Sequence, residues 1–170
     1  MKTLLLMRHA KSSWDDLFCP DHERPLSDRG QDAAKRMGKW LVQNNLEPDA
    51  VLLSSAKRVQ QTWGHVRAKL AEPPSAKPLQ NLYMTNPDYL LAHIRNTKKS
   101  IQTLLVINHE PTIGMLTAQL ATPPLPADCA RALQKFPTAA IAQFELSGNW
   151  PPLSATTARF VQFVKPKDLA

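Results

Sequence analysis

The chain has few cysteines and no long apolar segment, and so lacks the features that mark disulfide-rich secreted proteins and membrane proteins. Its two cysteines, Cys19 and Cys129, are far apart and outside any CxxC pattern, which excludes a disulfide framework and fits a reducing compartment. No segment reaches the roughly 18 apolar residues that a membrane span requires, and the apolar start at 3–7 is too short for a signal peptide. We therefore expect a soluble, cytoplasmic protein that does not act on a membrane.

Aromatic residues are also scarce, at 6% of the chain. Twenty-one Lys and Arg against 14 Asp and Glu leave a formal charge of +7, which suits an anionic partner such as phosphate, nucleic acid or an acidic protein surface. A nucleic-acid-binding module would add aromatic side chains between clustered cations, and the sequence has no such stripe. We therefore expect no nucleic-acid partner.

The chain has no internal repeat and no low-complexity tract. Its 170 residues suffice for one domain with a sizeable core, so we expect a single domain over 1–170. The 15 prolines collect in the stretches EPPSAKP, TPPLP and WPP, which predict connections because proline interrupts helices and central strands.

Apolar periodicity predicts helices that alternate with short strands. The longest helix is predicted to begin after Ser27, whose hydroxyl can cap it, with Asp28 and Asp32 near its start. Further helices are predicted over 56–70, 87–95 and 112–120, and strands over 4–7, 50–53, 103–107, 140–146 and 160–164. Near-continuous apolar strands favour an α/β fold: a three-layer α/β/α sandwich with a mostly parallel central sheet.

Basic side chains follow three of these strands. Arg8 and His9 end the first, His109 follows the strand at 103–107, and Arg58 lies just after the strand at 50–53. Singly, each is more often a rim residue or a surface ion pair. Together, at the edge where such sheets bind ligands, they predict a site for a dianion. Arginine matches phosphoryl oxygens in a bidentate way, and a neutral imidazole can attack phosphorus.

The same segments resemble those of the histidine phosphatase superfamily, which has a phosphoglycerate mutase-like fold. LLLMRHAKSSW is similar to its first strand and RH signature, and PLSDRGQDAAKRMGKWL to its first helix. DAVLLSSAKRVQQT is similar to the strand and second arginine, LLVINHEPTIG to the second histidine, and FPTAAIAQFEL to the following strand. The short chain and the RHAKSSW segment resemble the small SixA-type branch, the protein phosphohistidine phosphatases.

This resemblance implies a phosphatase that works through a covalent phosphohistidine on His9. It implies that Arg8, Arg58 and His109 hold the phosphoryl oxygens, that Ser12 helps to bind the substrate, and that inorganic phosphate is a product. No metal and no cofactor are expected. Trp14 and the loop that follows it are expected to form the rim of the site.

Larger members of the superfamily carry a glutamate after the third strand as general acid. Here Tyr83 stands near that position, and the nearest carboxylate is Asp88. An alkoxide leaving group needs a dedicated acid more than a protonated imidazole does, which favours protein phosphohistidine as the substrate. The proton donor stays open among Glu110, Asp15 and water, and Glu110 is expected to be exposed.

Two alternatives remain open from the sequence. A phosphatase of a small-molecule phosphate ester would use the same residues. A non-catalytic scaffold that binds phosphoproteins would also use them, although the nucleophile position His9 is intact.

Overall fold

The strands of this protein form one mixed sheet with helices on both of its faces. The computed structural model describes residues 1–169, apart from the side chain of residue 128. In chain order its elements are β1 (Lys2–Arg8), α1 (Asp28–Gln43), β2 (Ala50–Ser54), α2 (Lys57–Arg67), β3 (Pro78–Leu79), α3 (Pro87–Arg95), β4 (Thr103–Asn108), α4 (Thr112–Leu120), α5 (Ala127–Gln134), β5 (Ile141–Leu146) and β6 (Ala158–Val164).

The six strands lie in the order β3-β2-β4-β1-β5-β6. The first four are mutually parallel, β5 runs antiparallel to β1, and β6 runs antiparallel to β5. The mostly parallel sheet predicted from the sequence is therefore confirmed. β5 and β6 pair antiparallel because the stretch between them, 147–157, holds no crossover helix.

Central strand β1 supplies apolar side chains to both faces of the sheet. Leu5 and Met7 pack with α1 and α2, whereas Leu4 and Leu6 pack with α3 and α4. All four side chains are fully buried. Burial on both faces explains why the strand is a continuous apolar run rather than an alternating one.

Most of the predicted helices have the expected bounds. The Ser27 hydroxyl accepts a hydrogen bond from the Gly30 amide at 3.1 Å, which caps α1 as predicted. Helix α2 is shorter than predicted, because after Arg67 the chain closes into a turn in which the Leu70 amide donates to the Arg67 carbonyl. The prediction missed α5, which is eight residues long and directly follows a proline. No helix within residues 1–169 is long and apolar enough to cross a membrane.

Candidate active site

The basic residues predicted from the sequence meet at the carboxyl edge of the sheet. Strands β1 and β4 pair in a register that puts Arg8 opposite Asn108. The His9 amide then donates to the Asn108 carbonyl at 3.0 Å, which holds the two strand ends together. Strand β2 flanks β4 on its other side, with Leu53 opposite Ile107. Parallel pairing therefore brings the segments that follow three strands to one place.

His9 is buried, with 7% of its surface exposed, and its ring has a defined orientation. Nδ1 lies 2.7 Å from the Ala10 carbonyl oxygen. Because a carbonyl can only accept, Nδ1 carries the proton and Nε2 carries the lone pair. The Ala10 amide donates to the Thr62 hydroxyl of α2, which fixes this turn of the chain. Within residues 1–169, Nε2 has no hydrogen-bond partner.

The ring of His109 lies next to that of His9, with 5.2 Å between the ring centroids. Its Nε2 lies 2.7 Å from the Ser54 hydroxyl, and its Nδ1 lies 3.3 Å from Nη2 of Arg58. A guanidinium can only donate, so Nδ1 is the acceptor and Nε2 donates to Ser54. His109 is thus also neutral, with both nitrogens engaged by buried neighbours.

Burial lowers the pKa of both histidines. The pKa of His9 falls to about 3, chiefly because burial disfavours the imidazolium, with further lowering by His109, Arg58 and Arg8. The pKa of His109 falls to about 4, chiefly through burial and then through the charge of Arg58. Both rings are therefore neutral at neutral pH, which is the state that a nitrogen nucleophile requires.

Arg58 lies in the first turn of α2 and is 7% exposed. Its Nη1 donates to the Asp21 carbonyl at 2.7 Å, and its Nη2 donates to the Asp21 carboxylate at 3.1 Å. Its Nε is buried without a partner. A buried donor without an acceptor costs free energy, so Arg58 keeps one N–H ready for a ligand.

Arg8 is half-buried at the end of β1, where its Nη1 donates to the Phe136 carbonyl at 2.7 Å. Like that of Arg58, its Nε is buried without a partner. Burial lowers the pKa of the guanidinium, and nearby Glu110 opposes this effect. The two arginines therefore combine positive charge with unsatisfied donors near His9.

Arg8, His9, Arg58 and His109 form the basic cluster of this site. Asp21 also belongs to the cluster, although the sequence did not indicate it. Its carboxylate accepts from Arg58 and from the Tyr83 hydroxyl, the latter at 2.6 Å, and lies 3.3 Å from the Arg24 guanidinium. The hydrogen bond from Tyr83, followed by the contacts with Arg58, lowers the pKa of Asp21. A carboxylate whose ionised form is favoured thus faces Arg58 from the loop before α1. Its position depends on the folding of that loop, and no strand end or periodic pattern indicated it.

Tyr83 is the residue that the resemblance puts near the general acid of larger superfamily members. Its ring contacts His109 edge-on at a centroid distance of 5.6 Å, and its hydroxyl is committed to Asp21. That hydrogen bond raises the pKa of Tyr83. Beside it opens a cleft of about 480 Å³, whose outer wall includes the exposed side chains of Met84 and Met115. The wall formed by the two methionines is apolar, and the carboxylate residues that line the cleft are Asp21 and Glu110.

Ser12 and Asp15 follow β1 and lie away from the hydrogen bonds of the cluster. Ser12 is buried, pairs through its backbone with Leu26, and makes no side-chain hydrogen bond within residues 1–169. Asp15 is exposed, and its amide donates to the Ser13 hydroxyl. Ser12 therefore stays a candidate by its proximity in sequence to His9.

Glu110 is half-buried, which corrects the expectation that it is exposed. Its carboxylate accepts from the Gly114 amide at 2.6 Å. A Cβ at position 114 would lie 2.7 Å from that carboxylate, so glycine makes room for it. Burial raises the pKa of Glu110. The sequence could not show that Glu110 is half-buried, because this depends on the turn before α4, which folds the Glu110 side chain onto the first turn of that helix.

The loop after β1 carries an exposed aromatic residue. Trp14 is 62% exposed, and the Arg24 guanidinium lies 3.4 Å from the centre of its ring. Arg24 also holds Asp21, so this stacked pair links the rim to the cluster. Within the described part of the chain, no group of three or more His, Cys, Asp or Glu side chains is arranged to hold a metal ion.

Comparison with known proteins assigns this arrangement to a family. The model of the histidine phosphatase superfamily (branch 1) matches residues 4–80. Phosphohistidine phosphatase SixA of Escherichia coli K12 is 33% identical over 153 residues, which cover 86% of this chain and 88% of that protein. The chain belongs to the histidine phosphatase superfamily.

Two further similarities extend over nearly the whole chain. An uncharacterised protein of Mycobacterium tuberculosis is 37% identical over 163 residues, covering 95% of this chain and 100% of that protein. A solved structure of the protein histidine phosphatase SixA complexed with tungstate has a TM-score of 0.76 and 28% identity, and 98% of each chain is covered. These similarities support the SixA-type branch and phosphatase activity.

Proposed function

We propose that this protein hydrolyses phosphohistidine on proteins through a covalent phosphoryl group on His9. The observation that carries the proposal is the tautomer of His9. Its Nδ1 proton is committed to the Ala10 carbonyl, which leaves the lone pair on Nε2. The low pKa of the ring keeps that lone pair free of a proton at neutral pH.

In the first step, His9 Nε2 forms a bond to phosphorus while the bond from phosphorus to the substrate nitrogen breaks. The electron pair of that bond leaves with the substrate imidazole, which takes up a proton from water. In the second step, water attacks phosphorus and the bond to His9 breaks. Inorganic phosphate leaves, and His9 returns to its neutral form.

Arg8 and Arg58 would hold the phosphoryl oxygens in both steps. His109 would join them by turning its Nε2 proton from the Ser54 hydroxyl to a phosphoryl oxygen. The unsatisfied Nε donors of the two arginines give an incoming oxyanion hydrogen bonds that the free protein lacks. Fixed donors of this kind stabilise charge that spreads over the oxygens in the transition state. The tungstate bound by the related SixA structure is an oxyanion, which supports an anion site in this branch.

Phosphohistidine and a phosphate ester differ in how much their leaving group needs a proton donor. Tyr83, with a raised pKa and its proton committed to Asp21, is a poor acid for an alkoxide. An imidazole that is protonated by water does not need such an acid. A small-molecule phosphate ester is the second candidate substrate, and the apolar cleft beside Met84 and Met115 favours it.

The test is a turnover assay on a phosphohistidine-bearing protein and on a panel of phosphate monoesters, at matched concentrations. We expect kcat/KM to be highest for the phosphohistidine protein. A higher value for a monoester would assign the protein to the small-molecule phosphatases. Binding of the phosphoprotein without turnover of any substrate would indicate a scaffold.

A further inference from the structure

A second basic feature lies outside the histidine cluster. A groove of about 360 Å³ runs between α1, the turn after β1, the turn before β5 and the segment after β6. Five cations line this basic groove: Lys11, Arg29, Arg36, Lys165 and Lys167. Asp32 is the one acidic residue among its lining residues.

The fold explains how cations that are distant in sequence meet there. Arg29, Asp32 and Arg36 recur at helical spacing and share one face of α1. Gly30 brings that helix against the backbone of Lys11, because a Cβ at position 30 would lie 2.1 Å from the Lys11 carbonyl. β6 runs parallel to β1, so Lys165 leaves the sheet at the same edge as His9.

The positive charge of the basic groove is poorly neutralised. The Lys165 ammonium lies 3.5 Å from the carboxylate of Asp168. The carboxylate of Asp32 lies 3.4 Å from the ammonium of Lys35, which is not a lining residue of the groove. Within residues 1–169, the other four cations of the groove have no carboxylate within 4.0 Å. Such a concentration of like charge raises the local concentration of anions.

The basic groove lies close to the nucleophile. Lys11 is two residues from His9, and Thr138 of the groove precedes Ala139, whose amide donates to the carbonyls of Arg8 and His9. The groove borders α1, whereas the apolar cleft borders α4, so the two depressions involve different helices. The basic groove and His9 therefore lie at the same edge of the sheet.

We propose that the basic groove binds an acidic segment of the phosphoprotein substrate, a few residues from the phosphohistidine. This inference rests on the proposed function, because it names a recognition element for the same substrate. The residues that line the groove include no aromatic side chain on which bases could stack, which favours an acidic polypeptide over nucleic acid. Arg29 and Arg36 are about 10 Å apart along the helix axis, a span of about three extended residues.

The test uses two synthetic phosphohistidine peptides that differ only in four flanking residues, all Glu or all Gln. At low salt we expect kcat/KM to be at least about tenfold higher for the Glu peptide, through a lower KM. Added salt should remove this advantage, because screening weakens charge attraction at a surface. The double variant Arg29→Gln/Arg36→Gln should reduce the advantage of the Glu peptide. The double variant Arg29→Glu/Arg36→Glu should abolish it.

Lys39→Glu is the matched control, since Lys39 is an exposed cation of α1 outside the groove. It should keep the preference for the Glu peptide. Every variant should hydrolyse a small phosphoryl substrate at the wild-type rate, which separates docking from loss of the fold. The affinities of the two unphosphorylated peptides, measured in parallel, test the groove without relying on turnover.

Equal kcat/KM and equal affinity for the Glu and Gln peptides would overturn the groove assignment and leave the proposed function standing. Turnover of neither peptide would overturn the proposed function, while tighter binding of the Glu peptide would still support the groove. A single-stranded oligonucleotide that binds more tightly than the Glu peptide, with the difference lost in Arg29→Glu/Arg36→Glu, would contradict the choice of partner.

Discussion

Arg58 donates hydrogen bonds to both the backbone carbonyl and the carboxylate of Asp21, at 2.7 and 3.1 Å. The arginine expected to hold a phosphoryl group therefore already holds an anion of the protein. The Asp21 side chain is 55% exposed, whereas that of Arg58 is 8% exposed. A phosphoryl group must share Arg58 with this carboxylate or displace it.

Asp21→Asn should increase the affinity for inorganic phosphate. The amide oxygen can still accept from Arg58 and Tyr83, so the geometry is kept while the negative charge is removed. Two unit charges about 4 Å apart in water interact by about 1 kcal/mol, which corresponds to a change of about fivefold. Competitive inhibition by phosphate measures this change as a lower inhibition constant.

Asp15→Asn is the control for that prediction, because it removes an exposed carboxylate from the same loop outside the cluster. It should leave the inhibition constant within about twofold of the wild type, since exposed charges are strongly screened. Weaker phosphate binding by Asp21→Asn would show that the carboxylate supports the anion site instead of competing for it.

Arg58→Lys should lower kcat by an order of magnitude or more. Lysine keeps the charge but loses the planar fork, and it cannot make the contacts with Asp21 and His109 together. Arg67→Lys, at the far end of α2, is the matched control and should retain activity. An unchanged kcat for Arg58→Lys, with no thermal protection of the wild type by phosphate, would remove Arg58 from the site.

The ring signals of His9 and His109 should not titrate between pH 5 and 8. Their pKa values of about 3 and 4 lie below this range, so both rings stay neutral. NMR of histidine ring carbons and protons, assigned with single variants at each position, measures this directly. A midpoint near pH 6.5 for either ring would contradict the role assigned to burial.

The same shifts predict how stability depends on pH. In the unfolded chain these histidines bind protons below about pH 6.5, whereas in the folded protein they resist protonation down to about pH 4 and 3. Their contribution to the free energy of unfolding is therefore complete above pH 6.5 and decreases as the pH falls from 6.5 towards 3. Tm should drop over that interval, and less steeply when His9 is replaced.

The sequence predicted the parts of this protein that local pattern determines. Pro87–Arg95 and Thr112–Leu120 are helices with the predicted bounds, because apolar spacing acts within each segment and the Asn86 side chain caps the first of them. The meeting of His9, His109 and Arg58 was also predictable, since parallel strands end at a common edge.

Three features of the site could not be predicted from the sequence, because they depend on how irregular segments fold. Asp21 reaches Arg58 from a loop 37 residues away in sequence, and nothing in the composition of that loop specifies the contact. Glu110 lies half-buried because Gly114 leaves space for its carboxylate, a fit that appears only when the turn is folded. The orientation of the His9 ring likewise depends on the position of one carbonyl oxygen.

The most direct test of the central claim is a search for a phosphoryl group on His9 during turnover. The enzyme is quenched at alkaline pH, which preserves phosphohistidine, and the modified residue is located by tandem mass spectrometry. We expect an acid-labile phosphoryl group on His9 in the wild type. In His9→Asn we expect no phosphoryl group and a fall in kcat of at least about a thousandfold. A phosphoryl group on another residue, or wild-type turnover by His9→Asn, would contradict the central claim.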